Sequence, residues 1–249
     1  SWLGVPLMIG DRVIGVMTVQ SYTTPGLYGE RERDLLMTVA NQAAAALENA
    51  RLSAQQARRM QEMLVLNEIG QALAVTHDLE EVFHTAHMQL GRLFDVSSFY
   101  IAVVDEERGI WSSAFDVQEG ERLVGREYPL NEGLTGYMIR ERRSLLFRTA
   151  EEELAFCREH GFEHLGQQAN SWLGTPLIAL NQVVGVLAIE SYIQSYVFDE
   201  HDLALIQAVA VPVANAIYNA RLFEQLQQQA LQEQRVRVIT EQIIGAADI

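Results

Sequence analysis

Cysteine is almost missing. Cys157 is the only one, so no intramolecular disulfide can hold the fold, and its scarcity fits a reducing compartment. Positive charge is short as well: 18 Lys and Arg stand against 33 Asp and Glu, a net charge of −15. That balance disfavours nucleic-acid backbone and anionic membrane, both of which require basic patches. No apolar run approaches the ~18–20 residues of a membrane span. The richest stretch, 208–218, is too short and contains Pro212 and Asn215. No signal-peptide pattern is visible, although Ser1 itself stands inside a folding unit. A cytoplasmic protein without direct membrane insertion or nucleic-acid binding is expected, and 49% hydrophobic residues supply an ample core.

What is present is a repeat. Residues 1–52 run from Ser1-Trp2-Leu3-Gly4-Val5-Pro6-Leu7 to Asn49-Ala50-Arg51-Leu52, and residues 171–222 run from Ser171-Trp172-Leu173-Gly174-Thr175-Pro176-Leu177 to Asn219-Ala220-Arg221-Leu222. The offset of 170 holds without a gap, and about two positions in five are identical. Such a period exceeds any solenoid repeat, so each copy belongs to a whole domain. Leu66, Ile69, Leu73, Asp78 and Leu79 also fall opposite Val236, Ile239, Ile243, Asp248 and Ile249. The expected organisation is the end of one unit (1–52), a linker helix (53–77), a complete unit (78–222) and a signalling helix (223–249).

Each copy opens as a β-hairpin, with Gly10-Asp11 as a two-residue turn in the first and weaker turn chemistry at Leu180-Asn181-Gln182 in the second. Gly15 and Gly185 interrupt the second strand at one place, as at a bulge or a close backbone approach. Residues 29–74 read as one long helix, unbroken by Pro or Gly before Gly70; a break near Ser53 is the alternative. Leu36, Val39, Ala43, Ala46, Ala50, Ser53, Ala57, Met60, Leu64 and Asn67 form a seam of mostly small residues with three–four spacing, which suits a parallel homodimer. Within the complete unit Asp78 reads as the N-cap of a helix with Leu79, Val82, Phe83, Ala86, Leu90, Leu93 and Phe94 on its apolar face. Strands follow at 98–104, 110–115 and 126–130, then a helix from 131, a strand at 144–148 and a helix over 150–160 closed by Gly161. Pro212 should kink the last helix. The order is α+β with an antiparallel sheet.

These residues resemble the GAF family of small-molecule sensor domains. The marks are Asp78-Leu79-Glu80-Glu81-Val82, Glu132-Gly133-Leu134-Thr135-Gly136, the hairpin from Ser171 through Gly185-Val186, and Phe198-Asp199-Glu200-His201-Asp202 leading to Ala214-Asn215-Ala216. The likeness extends to tandem GAF modules of bacterial histidine kinases and diguanylate cyclases. It implies a six-stranded antiparallel GAF/PAS-like sheet with helices, flanked by long connecting helices, with a ligand pocket on one face and a helix bundle on the other.

The ligand residues so implied are Tyr100, Trp111, Phe115, Gly133, Leu134, Thr135, Tyr137 and Cys157. The turn at Gly133 offers a helix N-terminus to an anion, against the plainer reading that Asn131 caps the helix. Tyr128 and Phe147 are further aromatic candidates, whereas Trp172, which shares its repeat position with Trp2, reads as packing. Cyclic-nucleotide GAF domains carry an Asn-Lys pair where Glu190-Ser191 stand here. Bilin-attaching ones place a Cys near position 157, but with His where Arg158 stands. Cys157, His160 and His164 have metal-like spacing without an evident fourth ligand, so no metal is expected and the cofactor is left open. His84 and His87 read as solvated. A GAF-fold reductase of free methionine sulfoxide needs several cysteines. No Ser/His/Asp set, phosphate loop or convincing acid pair is visible, so no enzyme is expected. The reading is a sensor of an unidentified small molecule, with a ligand-free dimerisation array and a bilin photosensor as alternatives. Without its sheet partners, the hairpin of residues 1–52 is expected to pair with another chain or to owe its order to the long helix.

Overall fold

A computed structural model describes residues 1–76 and 78–247, without the side chains of 58, 61 and 236–247. Asp248 and Ile249 of the continuing repeat lie outside the described residues, as do the side chains of Val236, Ile239 and Ile243. Two compact units divide the chain, Ser1–Val65 and Leu66–Ile249.

The first unit holds strands β1 (Trp2–Ile9) and β2 (Arg12–Gln20) and the first part of helix α1 (Glu30–Ala74), which is continuous through Ser53. The hairpin turns at Gly10 with φ +56°. Ala40 and Ala44 of α1 are buried against Val5 and Leu7, with Leu36, Met37 and Ala43 beside them. Small residues on the helix let it lie close to the hairpin. Leu36 and Ala43 of the proposed seam are therefore engaged within their own unit, whereas Val39, Ala46, Ala50, Ala57, Met60 and Leu64 are exposed.

The second unit adds α2 (Leu79–Leu90), β3 (Phe99–Asp105), β4 (Ile110–Gln118), β5 (Glu121–Arg122), β6 (Glu127–Pro129), α3 (Gly133–Glu141), β7 (Leu145–Phe147), α4 (Ala150–His160), β8 (Ser171–Ala179), β9 (Gln182–Ser191) and α5 (Glu200–Ala247). The sheet runs β5-β4-β3-β9-β8-β7, with β6 also on β4. Leaving out the two-residue β5 gives the six strands expected. α2 and α5 cover one face, and α3 and α4 stand against the other. Asp78 does cap α2, accepting from the Glu81 N–H. Thr149 caps α4 and Gly161 ends it at φ +73°. Asn131 is not a cap: the N-cap of α3 is Glu132, with no side-chain bond. His87 is half-buried rather than solvated, its ring 5.2 Å from that of Phe99 and 5.3 Å from that of Phe115.

Pro212 lies inside α5, and a Cβ added at Gly70 of α1 would stand 3.9 Å from Pro212 Cβ. By length and composition residues 200–235 of α5 could cross a membrane, a point hidden in the sequence by Pro212 and Asn215. Ile206, Val209, Val213 and Ile217 of that stretch are fully buried in the protein, as in the core helix of a domain.

The two hairpins are the same object. Trp2 pairs with Gln20 and Trp172 with Glu190, and both ladders slip at the same place, after Leu7 and after Leu177. The slip leaves one extra residue opposite, next to Gly15 and Gly185, so the glycines do mark a bulge. In the second unit Gly185 also permits a close approach, since a Cβ there would stand 2.2 Å from the Ala102 carbonyl oxygen. Leu180 and Asn181 both take positive φ (46° and 66°), so the weaker turn chemistry still makes a primed turn. Burial differs sharply between the copies: Trp2 is 65% exposed and Trp172 2%, Val16 62% and Val186 0%. In the second copy β3 and β7 flank the hairpin and helices cover both faces.

Gly185→Ala is expected to destabilise the second unit by about 2–4 kcal/mol, because neither backbone can yield cheaply. Urea unfolding of the full chain followed through Trp fluorescence measures it, with Gly15→Ala, where a Cβ meets only the flexible Leu7 side chain, as the milder control.

Candidate functional site

A cavity of about 340 Å3 opens between the sheet and the layer of α3, α4 and the loop that follows α4. Its sheet side is built by Tyr100 of β3, Trp111, Ser113, Asp116 and Gln118 of β4, Trp172 of β8, Glu190 of β9 and Tyr192 just beyond it. Tyr128, Leu134, Thr135, Glu153 and the loop residues His164 to Gln167 complete the lining, with Leu123 and Arg126. The walls are strongly aromatic: Trp111 stacks on Tyr128 with ring centres 4.4 Å apart.

Trp172 owes its place to the glycine two residues on. A Cβ at Gly174 would fall 2.2 Å from the indole, and one at Gly4 2.5 Å from that of Trp2. The repeated Trp-Leu-Gly thus lays an indole flat along the strand. In the second unit this directs Trp172 Nε1 to Glu190 Oε1 at 3.0 Å, while the Tyr192 hydroxyl donates to Glu190 Oε2. Tyr100 and Thr135 join their hydroxyls at 3.0 Å. Trp111 Nε1 donates to the Glu132 carbonyl, 3.3 Å away, tying the start of α3 to the sheet.

The charged groups are mostly acidic. Glu153 of α4 is buried, accepts from Gln168 Nε2 at 3.1 Å, and sets Oε1 2.5 Å from His164 Nδ1. That pair is at ion-pair distance without the alignment of a hydrogen bond, and His164 Nε2 has no directed partner among the described residues. The Glu153 carboxylate holds His164 above the usual imidazole range. Burial pushes Asp116 up, against the pull of Arg122 and Arg126. Burial pushes Glu190 up to about 7, although the bonds from Tyr192 and Trp172 favour its ionised form. The Tyr100 and Tyr192 hydroxyls are also raised, first by burial and then by the charge of Glu190.

Of the residues read from the sequence, Tyr100, Trp111, Leu134 and Thr135 line this cavity. Phe115 does not. The β3–β4 ladder skips Ala114, since Ile101 faces Phe115 while Ala102 faces Ser113. A one-residue slip exchanges the faces of a strand. Trp111 and Ser113 therefore face the cavity, while Phe115 packs under α2 with Phe83 and Phe99. Gly133, Tyr137 and Cys157 are outside the lining too. Gly133 abuts Leu165, where a Cβ would clash at 2.7 Å, and Tyr137 is held among Phe156, His160 and Phe162. Cys157 is buried on α4, and burial followed by Glu153 pushes its thiol up to about 11. Phe147 packs on Phe156 and Trp172. Trp172, read as packing, is a wall of the cavity. No group of three or more His, Cys, Asp or Glu among the described residues could hold a metal ion.

The GAF domain family model matches residues 1–48 and 76–217. The chain belongs to the GAF domain family. GAF domains are sensory and regulatory modules. Among curated relatives, the Nif-specific regulatory proteins of Azospirillum lipoferum and Azospirillum brasilense are each 27% identical over 130 residues, 52% of this chain. The chain spans about a fifth of their length, 21%. Among solved structures, the GAF domain of an Acinetobacter phosphoenolpyruvate-protein phosphotransferase superposes with a TM-score of 0.51 at 18% identity, over 66% of this chain and 95% of that one. Free methionine-R-sulfoxide reductase from Neisseria meningitidis, solved with its substrate, gives 0.51 at 18% identity over 65% and 90%. At such identities the likeness is one of fold.

In this GAF domain the residues that sequence reasoning missed are Glu190, Glu153, Tyr192 and Asp116. Glu190 closes an otherwise apolar strand, 183–189, which is a visible signal. Glu153 stands four residues before Cys157 on the same helix face, a weaker one.

Glu190 also governs stability. Its folded value near 7 lies above the ordinary 4.5, so its favourable contribution is full below about pH 4.5 and is lost as pH rises through 7. Between pH 5 and 8 the protein should lose about 2–3 kcal/mol that Glu190→Gln does not. Urea unfolding of both proteins at the two pH values measures it; parallel losses would contradict the assignment.

Proposed function

We propose that this chain is the sensing part of a regulatory protein. A small molecule occupies the cavity of the second unit and biases helix α5, which passes the change to an output domain elsewhere in the protein. The observation that carries this reading is the cavity itself, about 340 Å3 with buried ionisable groups in its wall. Such a volume falls at the small end of ligand pockets, about 300–1,000 Å3. A plain structural domain would be expected to fill it, and Phe115, the side chain best suited to do so, lies on the opposite face.

A route to α5 exists in the packing. The β8–β9 hairpin bears Trp172 and Glu190 towards the cavity, and α5 lies against the same strands. Gln207 of α5 donates to Ser144 Oγ at 2.9 Å, and Ser144 pairs with Thr175 of β8 at 2.9 Å. Signalling still needs two helix arrangements of different ligand affinity. We also propose a tandem arrangement and a parallel homodimer through Ala57, Met60 and Leu64, and a cytoplasmic setting. Nothing in the cavity suggests catalysis: the sole thiol is buried and its raised value disfavours the thiolate. The same placement weighs against bilin attachment.

Thermal shift of the full chain against cationic, neutral, anionic and tetrapyrrole compounds tests the sensor. A ligand at a hundred times its Kd adds about 2.7 kcal/mol, and hydrogen exchange along 200–235 should change with it. Ser113→Leu, which fills the cavity from β4, should abolish the shift; a shift that survives it would place the ligand elsewhere. For the dimer, Met60→Glu with Leu64→Glu should yield a monomer in sedimentation, with the circular dichroism of the fold retained.

A further inference from the structure

The cavity's charges pair off unevenly. Glu153 is opposed by His164, 2.5 Å away. Asp116 feels Arg122 and Arg126. Glu190 has no ion-pair partner among the described residues: its hydrogen-bond donors are the neutral Trp172 and Tyr192, and His164, held against Glu153, acts on it only through longer-range charge. Each of its oxygens accepts one of these bonds and keeps a lone pair for another. A buried carboxylate without a counter-charge is costly, and something positive beside it removes that cost. The surfaces around it are aromatic. Tyr100, Trp111, Tyr128, Trp172 and Tyr192 all line the same cavity as Glu190, and ring faces attract cations, most strongly where water is excluded.

We propose that the ligand is a small organic ammonium ion, held by the Glu190 carboxylate within this ring of Tyr and Trp side chains. The inference rests on the sensor reading and names the chemical class it senses. It runs against an anion at the start of α3: Glu132 precedes that turn, Gly133 is sealed by Leu165, and three carboxylates face the cavity where a phosphate would sit. The cavity, about 340 Å3, admits a molecule of choline or diamine size.

A bound cation favours ionised Glu190, so binding near neutral pH should release a proton from it. The other titratable and charged groups facing it are Tyr100 from β3, Asp116 from β4, Arg126 from the segment before β6, Glu153 from α4, His164 from the following loop, and Tyr192. Of these, His164 could also lose a proton to an incoming cation. The Glu190 variant separates the two sources.

The test is isothermal titration of the full chain with matched pairs: choline and its uncharged carbon isostere 3,3-dimethyl-1-butanol, butylamine and butanol, putrescine and 1,4-butanediol. Adenosine 3′,5′-monophosphate and 2-oxoglutarate serve as anionic probes. At least one cation should bind ten-fold or more tightly than its isostere, with proton release at pH 7 and a change in Trp emission, since Trp111 and Trp172 line the cavity. Glu190→Gln should lose that preference and the proton release. Should it fail to fold, Tyr128→Leu at the wall should weaken the cation at least three-fold and leave the isostere unchanged. Equal affinity for cation and isostere, or tight binding of an anion, overturns the ligand class while the sensor reading survives. Silence from every cation overturns the class as well, and silence from all charge classes together with an unaltered Ser113→Leu protein overturns both.

Discussion

The pairing of β3 with β9 is the contact on which the second unit depends. Phe99 to Val103 lies against Ile189 to Gly185, joining segments more than eighty residues apart in the chain. It sets β3 and β4 beside the β8–β9 hairpin as one sheet, so that two faces become available at once. One receives α2 and α5; the other, bounded by α3 and α4, keeps the cavity. The tightest point is Gly185 against the Ala102 carbonyl. The pairing also puts Tyr100 opposite Ala188, two residues from Glu190 on the neighbouring strand. The bearers of the cavity's hydroxyl and carboxylate thus meet because the sheet closes, not because they are near in sequence.

The first unit shows what the same hairpin is without that pairing. Its register, its bulge and the start of its helix at Glu30 match β8, β9 and Glu200 position for position. The residues that are buried at 172 and 186 are open at 2 and 16. Local sequence therefore makes the hairpin, and neighbours decide its burial. The seam on α1 is subject to the same logic. Leu36, Val39, Ala43, Ala46 and Ala50 occupy the repeat positions of Ile206, Val209, Val213, Ala216 and Ala220, all buried within the second unit. Up to Ala50, then, spacing alone cannot separate a dimer seam from the inner face of a domain helix, since both want small and apolar residues three and four apart.

Much of the architecture was legible because its signals are local. Asp78 caps α2 where its place before an apolar helical face predicted, and Gly161 in the left-handed region ends α4 where it was expected. The cavity was half legible. Tyr100 and Trp111 were reached as aromatics suited to a pocket wall, and Leu134 and Thr135 through the turn that opens α3, but Phe115 was lost to one bulged residue at Ala114, which no periodicity reveals. Trp172 was misjudged because its twin, Trp2, invited one explanation for both. They share a conformation over Gly174 and Gly4 and differ in what lies above them. Glu190 was noticed as the missing half of a cyclic-nucleotide motif, and its own chemistry was overlooked.

That departure has a physical meaning of its own. A Lys near this position would bring positive charge to the cavity; Glu190 brings negative charge into a place that burial already makes hostile to it. The protein accommodates the carboxylate with two neutral donors on β8 and beyond β9, both themselves aromatic. Neutral donors stabilise an anion less than a cation does, because they supply dipoles where a full charge would be stronger. The arrangement therefore leaves Glu190 close to its titration point, with β9 carrying it and α5 packed along the same sheet. A change of charge at that carboxylate alters the balance of the hairpin's bonds to Trp172 and Tyr192. Since the hairpin is buried on both faces, it has little freedom to absorb the change alone.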